Sequence, residues 1–518
     1  MNKTEALIFL INSLSKTEKK AFNLATQNSK TSNYVKLYTI IVKDKNVLAD
    51  PLRKKYVKLI KGSSFETSVN HLYRILLNAM LELRKDQDSH YSLFDKILKA
   101  RILFEKSMYN ECFDLLDKVK NAAREQENFY ALLLASRLEL EYLLTLNFPE
   151  IDEKALLHKH FKVNETLRIT QKIQQQSALY ELLRHRMIYK GNARSEQQKN
   201  ELNDLVVSEM SIVASSNIDN FEIDKLHQLF QANYLISVGD YKSALHSFYE
   251  LNSLLESKKR LWADPPIFYV LTLEGILDSL RSLGMYDGMD KFIQQLKKIN
   301  SRSQSFNANV TCIVFLYELF PFLDTGDFEA CQQLMKKYQE DLLKKPQLLS
   351  LSRNAELSLY LALINFGHRD FRKAQKLLTK IIFTSRSYAY LPLYRTIRLV
   401  NLMILYELKD FDLIKNETRS IKREMKNDEK GYKIEKRILN FVNKQSLPIS
   451  VMKRNLLWDH IKEEFTILHQ DVYELQTLKL FDFSAWIESK IRRVPLTTIL
   501  VNRNSLATNT NLVARNSL

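Results

Sequence analysis

Histidines close to carboxylates are the side chains of this sequence that come nearest to forming a chemical site. His158 and His160 stand two residues apart, which points their rings to different sides of a helix and disfavours a shared metal ion. His460 precedes Glu463 and Glu464 by three and four residues, so these three side chains can share one helical face. That face suits either metal ligands or ordinary solvated groups. Because surface histidine beside acids is common, we favour the solvated face and expect no metal site.

The motifs that catalysis and nucleotide binding require are missing from the sequence. It contains no GxGxxG or GxxxxGK[ST] loop, no HExxH pair and no nucleophile elbow. Its three cysteines, Cys112, Cys312 and Cys331, stand far apart among apolar residues, as is typical of buried thiols in a reducing compartment. We therefore expect a protein that is not an enzyme and that carries no cofactor.

The composition favours a folded, helical chain. Only 9 Gly and 9 Pro occur in 518 residues, while hydrophobic residues make up 45% and charged residues 26%. A core can therefore form, but the turn residues that sheets need are scarce. The apolar run from Ala6 to Ile11 is too short for a signal-peptide core, and no uninterrupted apolar stretch approaches bilayer length. We expect a cytoplasmic protein without membrane insertion.

An internal repeat dominates the middle of the chain. Six segments place an aromatic residue directly after a short turn, where it is predicted to begin a helix. The six aromatic residues are Tyr109, Tyr241, Tyr286, Phe328, Phe371 and Phe411. From Tyr241 onward they are 45, 42, 43 and 40 residues apart, a period of about 43. The first interval, of 132 residues, has room for two degenerate copies.

Residues counted from the aromatic position share one predicted helical face. The residue three positions after it is apolar, and small in most copies: Cys112, Ala244, Met289, Cys331, Ala374 and Ile414. Offsets of 0, 3, 7 and 10 residues lie on the same side of a helix. Two residues before the aromatic, Gly239, Gly284 and Gly326 suit a left-handed turn, and an aspartate such as Asp240 suits the next N-cap. Each unit is thus predicted to be helix, tight turn, helix, with Pro321 kinking or ending its helix.

Stacked hairpins of this kind bury a continuous core, which predicts an all-α fold built as an α-solenoid of helix-turn-helix repeats. Alanine stands nine residues before the aromatic in three copies (Ala100, Ala232 and Ala362), and leucine stands six before it in most. Together with the Gly-Asp-aromatic turn and the small residue that follows, this pattern resembles the tetratricopeptide (TPR) repeat over about residues 90–425, with a period near 43 instead of 34. The helical flanks are similar to those of uncharacterised bacterial TPR-like proteins, a resemblance that implies no activity.

The resemblance implies a groove, lined by the first helices of the hairpins, that binds a peptide or a helix. Seven residues take the groove-lining positions in this sequence: Asn233, Glu274, Asp278, Arg281, Phe320, Met403 and Tyr406. Their mixture of apolar and charged types suits a peptide better than a phosphate backbone, although any of them could instead pack against a neighbouring helix. A protein-interaction scaffold with a protein or peptide partner is the function we expect first.

Four segments are predicted along the chain. They are a basic helical N-terminal module (1–85), the TPR-like array (90–445), C-terminal capping helices (449–495) and a disordered tail (496–518). Within the capping helices, Trp458 and Trp486 either anchor a partner or fill the hydrophobic cap that a solenoid terminus needs. We favour the second role for both tryptophans.

Positive charge is concentrated in the N-terminal module. Residues 1–85 hold sixteen Lys and Arg against six Asp and Glu. Five of the basic residues form one patch: Arg53, Lys54, Lys55, Lys58 and Lys61. Such a patch either contacts nucleic-acid phosphates or is a solvated face, and the solvated face is favoured because lysine dominates without a base-stacking aromatic pattern. A nucleic-acid-associated regulator that uses this module is the alternative function.

Overall fold

Helices are the regular secondary structure of the chain over the residues that a computed structural model describes, with turns between them. These residues are 2–27, 32–44, 47–60, 64–214, 220–384, 386–427, 432–444 and 447–503, and no strand occurs among them. The prediction of an all-α protein is therefore confirmed. The chain divides into two compact units, Met1–Gln171 and Lys172–Leu518. The domain boundary that the sequence predicted near residues 85–90 falls inside the first unit.

The first unit contains eight complete helices. They are α1 (Lys3–Ser13), α2 (Lys16–Ala25), α3 (Asn33–Lys43), α4 (Ala49–Leu59), α5 (Phe65–Lys85), α6 (Ser89–Glu105), α7 (Tyr109–Glu125) and α8 (Phe129–Thr145). Helices α1 to α5 share one hydrophobic core, in which Leu7, Leu37 and Leu72 are fully buried. Helices α6 to α8 share a second core, built around Ala100 and Leu116. A long helix, α9 (Glu153–Lys190), crosses the boundary between the units.

The second unit contains five of the six repeat copies, those from Tyr241 onward, and the C-terminal helices. Its helices are α10 (Glu196–Asn200), α11 (Asn203–Ala214), α12 (Phe221–Val238), α13 (Tyr241–Ser257), α14 (Ile267–Ser282), α15 (Asp290–Lys297), α16 (Gln304–Thr325), α17 (Phe328–Lys337), α18 (Leu351–Gly367), α19 (Phe371–Thr384), α20 (Leu393–Leu408), α21 (Phe411–Asn427), α22 (Lys433–Val442), α23 (Val451–Gln470), α24 (Val472–Leu478), α25 (Phe483–Arg492) and the described part of α26 (residues 496–503). From α12 to α21 each helix packs on the next, and α12, α14, α16, α18 and α20 also pack on one another.

The predicted register of the repeats agrees with the burial pattern. Five of the six aromatic residues are the first residue of an α-helix, while Tyr286 begins a short 3-10 turn that precedes α15. The residues three positions later, from Cys112 to Ile414, are all at most 1% exposed. Ala244 and Ala374 are among them, at the positions where small side chains let neighbouring helices approach closely.

In each repeat, a residue in the left-handed conformation ends the first helix of the hairpin at the turn. It lies two residues before the aromatic in all six copies, with φ between 60° and 84°: Ser107, Gly239, Gly284, Gly326, Arg369 and Lys409. Glycine adopts this conformation without strain, and the sequence predicted it only for the three glycines. The N-cap prediction also holds, because the side chains of Asp240 and Asp327 accept hydrogen bonds from the amides of Ser243 and Ala330.

Three local expectations differ from the structure. Pro321 does not end its helix, since α16 continues for four more residues to Thr325, and four neighbouring helices pack on α16. The interval between Tyr109 and Tyr241 does not contain two plain hairpins, because α9 alone runs for 38 residues. Residues 496–503 of the predicted disordered tail form α26, in which Ile499 and Leu500 are buried; residues 504–518 lie outside the described part of the chain.

Helix α16 is also more apolar than the sequence led us to expect. Among the described residues it alone is long and apolar enough to cross a membrane, with a mean hydropathy of 1.4 over its best window. However, 61% of that window is buried inside the protein, against α14, α15, α17 and α18. Packing within the helical array therefore accounts for the apolar character of α16.

Candidate functional site

The seven predicted groove residues lie on α12, α14, α16 and α20, four of the five alternate helices that pack on one another. Four of the seven are buried: Asn233, Arg281, Phe320 and Met403. Glu274, Asp278 and Tyr406 are partly buried. None of the seven is therefore fully open to solvent, and each contacts either a neighbouring helix or the C-terminal end of the chain.

Four of these residues contact other helices of the second unit. The Asn233 side chain accepts a hydrogen bond from Arg184, with Nη1 and Oδ1 3.1 Å apart. Glu274 forms an ion pair with Arg353 on α18. Met403 is fully buried in α20, and Phe320 packs edge-on against Tyr360 with ring centroids 4.9 Å apart. Their surroundings match the alternative role, packing against a neighbouring helix.

The remaining groove residues meet residues 472–503, which comprise α24, α25 and α26 and are called the C-terminal segment below. Lys479 of this segment places its Nζ 2.7 Å from Oδ1 of Asp278. Arg281 donates from Nη2 to the Lys479 carbonyl oxygen, at 2.8 Å. The Lys479 ammonium also lies 4.7 Å from the centre of the Tyr241 ring, within cation–π range. The chain's own C-terminal segment thus covers part of the predicted groove.

Arg281 is the centre of a buried polar cluster beneath this contact. Its guanidinium donates two hydrogen bonds to Asp324 on α16, both 3.0 Å long, and a third to the Tyr360 hydroxyl. It also lies 3.5 Å above the centre of the Phe320 ring. The Tyr286 hydroxyl donates to the same carboxylate, and burial, with Asp324 adding to it, raises the pKa of Tyr286 above its ordinary value. Three hairpins are therefore joined through one carboxylate and one guanidinium.

Two turn glycines allow the C-terminal segment to approach closely. A Cβ atom on Gly239 would lie 2.5 Å from Cγ1 of Val472 in α24. On Gly326 it would lie 3.1 Å from Cβ of Leu500 and 3.3 Å from the backbone Cα of Thr497, both in α26. These glycines therefore serve two purposes, because they adopt the left-handed turn and also leave room for the segment.

Trp486 fixes the middle of the C-terminal segment. Its indole is fully buried, donates from Nε1 to Glu407 of α20 at 2.9 Å, and packs edge-on against Tyr406. Lys490 donates to the other oxygen of Glu407, at 2.8 Å. Trp458 is also buried and stacks on Phe465. Both tryptophans thus fill apolar space, the role that we favoured, and neither is exposed for a partner.

A serine, a histidine and an aspartate meet at the start of α25, an arrangement that the sequence did not suggest. Nε2 of His469 lies 2.9 Å from Oγ of Ser484, which donates to Asp482 at 2.6 Å. In a catalytic triad the acid and the nucleophile bind opposite imidazole nitrogens, whereas here both face Nε2. Ser484 is fully buried and also bound by Arg503, and burial lowers the pKa of His469. The cluster therefore joins α23, α25 and α26 and does not present a nucleophile.

The other candidate ligands do not come together. His158, His160 and His460 are exposed, and Glu464 pairs with Arg437. No group of three or more metal-ligating side chains occurs among the described residues. The three cysteines are buried, as predicted, and burial raises the pKa of each thiol, which keeps it protonated.

The basic patch on α4 is exposed but partly neutralised. Arg53 pairs with Glu66 at 2.9 Å, and Lys55 pairs with Asp44 at 2.7 Å. Lys54 and Lys58 are exposed, while Lys61 lies outside the described residues. Two of the four described cations thus have acidic partners, which weakens the positive field that a phosphate backbone would meet.

Comparison with known proteins gives no relative for this chain. No protein-family model, no curated protein and no solved structure matches it. Its function is therefore inferred from the arrangement of its own residues.

Proposed function

We propose that this chain is a protein-interaction scaffold, in which an α-solenoid of TPR-like hairpins with a period near 43 residues binds a helical peptide segment along its first helices. The observation that carries the proposal is the seating of the C-terminal segment. Residues 472–503 lie across the carboxyl ends of α12, α14, α16 and α20, the helices that hold the predicted groove residues. A surface that already binds one helical segment has the shape and chemistry to bind another.

The contacts of the C-terminal segment indicate what the surface recognises. Gln476 accepts a hydrogen bond from the Tyr241 hydroxyl at 2.8 Å, and Lys479 and Lys490 pair with Asp278 and Glu407. Trp486 fills the apolar space between these charges. A partner segment that carries two basic side chains flanking an aromatic one would repeat this pattern. Partner binding would then compete with the chain's own C-terminal segment.

The alternative function, a nucleic-acid-associated regulator, receives less support. Arg53 and Lys55 are held by Glu66 and Asp44, whereas a phosphate-binding patch needs cations that are free to replace counterions. Of the charged groove residues, Asp278 and Glu274 are acidic and Arg281 is bound to Asp324, so the groove offers little positive charge to a phosphate. We therefore place the partner among proteins, in the cytoplasmic compartment that the reduced cysteines suit.

Affinity capture from native lysate tests the proposal. Three full-length baits are compared: the wild type, Lys479→Glu, which loosens the C-terminal segment, and Lys344→Glu, which changes an exposed lysine that pairs with Glu340. We expect one protein to be enriched by all three baits and enriched most by Lys479→Glu, with no change after nuclease treatment. Enrichment of nucleic acid alone, or of no protein above the level of an unrelated bait, would contradict the proposal.

A further inference from the structure

A cleft opens between the repeat array and the C-terminal segment near the turn from α18 to α19. Its volume is about 400 Å³, within the size range of small-molecule sites. Phe328 and Phe371 line it from the array, and Trp486 and Pro495 line it from the C-terminal segment. The walls therefore combine apolar side chains with charged ones, and they belong to two parts of the chain, the array and the C-terminal segment.

Positive charge in this cleft exceeds what the protein itself neutralises. Four cations line the cleft, Arg369, Arg454, Lys490 and Arg493, against the single carboxylate of Glu407. That carboxylate is already bound by Lys490 and by the Trp486 indole. Arg454 donates to the Pro448 carbonyl oxygen, and in the described part of the chain none of the three arginines forms an ion pair with an acid.

An unneutralised set of guanidinium groups at a cleft is informative because elsewhere this chain pairs its inward arginines with acids. Arg281 pairs with Asp324, and Arg398 pairs with Glu417 and Glu424. Arg454 is as buried as these two side chains, yet it has no carboxylate. Buried or half-buried charges are normally compensated by a counter-charge. Arg454 therefore lacks a counter-charge, and an anion bound in this cleft, where the exposed Arg369 and Arg493 also stand, can supply it.

We propose that this cleft binds a small organic anion, consisting of a phosphate or carboxylate attached to a flat apolar group. The guanidinium forks of Arg369 and Arg493 match the geometry of either oxyanion and bind it through paired hydrogen bonds. The partly exposed Phe371 ring, together with Val494, Pro495 and Leu496, offers the apolar surface that the rest of the ligand covers. Neither part of the site suffices alone, because inorganic anions lack the apolar contact and neutral aromatics lack the charge.

Binding also has a structural consequence. Arg369 belongs to the repeat array and Arg493 to the C-terminal segment, so a ligand held by both arginines joins the two parts. It therefore stabilises the seated form of the segment over any form in which the segment has left the array.

Calorimetric titration of the full-length protein tests this site with four probes: phenyl phosphate, phenylacetate, inorganic phosphate and benzyl alcohol. We expect one of the two aryl anions to bind at least about tenfold more tightly than inorganic phosphate and benzyl alcohol, because only the aryl anions satisfy both halves of the site. The aryl anion that binds more tightly identifies the oxyanion as phosphate or carboxylate.

Three variants locate the binding. Arg369→Gln and Arg493→Gln should each weaken binding of the preferred aryl anion at least about tenfold, since each removes one charge-assisted contact. Lys409→Gln is the matched control, because Lys409 takes the same left-handed turn position in the next repeat but does not line the cleft. The three side chains are exposed, so the variants should fold.

The proposal is overturned by any of three results. The first is that neither aryl anion binds, and the second is that benzyl alcohol or inorganic phosphate binds as tightly as the aryl anions. The third is that Arg369→Gln and Arg493→Gln weaken binding no more than Lys409→Gln does.

Discussion

The Lys479 ammonium lies 2.7 Å from the Asp278 carboxylate of α14, and the two side chains are only 17% and 25% exposed. The carbonyl group of Lys479 simultaneously accepts a hydrogen bond from Arg281, one helical turn further along α14. A single residue of the C-terminal segment is thus bound through both its side chain and its backbone. Because Arg281 also holds Asp324 of α16, this contact connects the segment to two hairpins.

Removing the lysine charge should loosen the C-terminal segment. The substitution Lys479→Gln leaves the Asp278 carboxylate half-buried without its partner, and we expect the free energy of unfolding to fall by about 2 kcal/mol. Urea denaturation measures this loss, and amide hydrogen exchange should accelerate in residues 472–503 before it does so in α12 to α15.

An exposed ion pair gives the matched control for this change. Lys344 pairs with Glu340, and both side chains are more than half exposed. Lys344→Gln should therefore alter the free energy of unfolding by less than about 0.5 kcal/mol. Equal losses in Lys479→Gln and Lys344→Gln would mean that the contact with Asp278 does not hold the segment in place.

Overpacking tests the repeat register. Ala244 and Ala374 are fully buried three residues after the aromatic position, so Ala244→Leu or Ala374→Leu should lower the free energy of unfolding by about 1 to 3 kcal/mol. Lys242→Leu and Arg372→Leu place the same side chain on the exposed face of the same helices and should change it by less than about 0.5 kcal/mol. Thermal or urea unfolding of the four variants measures the contrast, which would vanish if the alignment of the repeats were accidental.

The register was predictable because it depends on local rules. A residue three positions after Tyr241 or Phe371 faces the same side of the helix whatever the rest of the chain does, and an aspartate before the aromatic caps the helix in place. The left-handed conformation of Arg369 and Lys409 was missed, since only glycine signals it in a sequence. That conformation follows from the geometry of the turn, which the repeat as a whole imposes.

The contact between the C-terminal segment and the predicted groove was not predictable in the same way. Arg281 and Lys479 are 198 residues apart in the chain, and no periodic pattern links their positions. The composition of residues 496–518 as a whole, rich in Asn, Thr, Ser and Leu, led to the prediction of disorder, yet Ile499 and Leu500 are buried and Gly326 leaves space for α26. Long-range contacts of this kind depend on tertiary packing, which single-sequence reasoning does not resolve.

A buried carboxylate makes the stability of the second unit depend on pH. Glu209 of α11 is 1% exposed and binds His227 of α12, and this hydrogen bond raises the pKa of His227 above the ordinary value of 6.5. A raised folded-state pKa means that the folded form binds the proton more tightly than the unfolded form does. The stabilisation is therefore complete below about pH 6.5 and is lost as the pH rises through the folded-state pKa.

The substitution His227→Gln should accordingly cost more stability in acid than in base. Because the His227 side chain is about one-third exposed, we expect a difference of only about 0.5 to 1 kcal/mol between urea titrations at about pH 5 and about pH 9. His246→Gln is the control, since His246 pairs with Glu250 on the surface and is 78% exposed. A cost that is the same at both pH values, or equal in the two variants, would contradict the role assigned to Glu209.

The last prediction separates the scaffold from the nucleic-acid regulator, and it uses the full-length chain. Reversing the charges of Arg53, Lys54 and Lys55 together disrupts only exposed ion pairs, so the protein should stay folded. If the groove binds a protein partner, capture of that partner should be unchanged, because the groove residues pair with Arg184, Arg353 and Lys479 and exposed charges such as those of the patch are largely screened at physiological salt. If the patch binds nucleic acid, the triple reversal should abolish retention of duplex DNA or RNA, and retention by the wild type should fall steeply between low and physiological salt. Capture of the partner and retention of generic nucleic acid are therefore measured for both proteins at two salt concentrations. The scaffold proposal would be contradicted if neither protein captured a protein partner and if the wild type bound nucleic acid in a salt-sensitive way that the reversal abolished. That outcome would support the nucleic-acid-associated regulator.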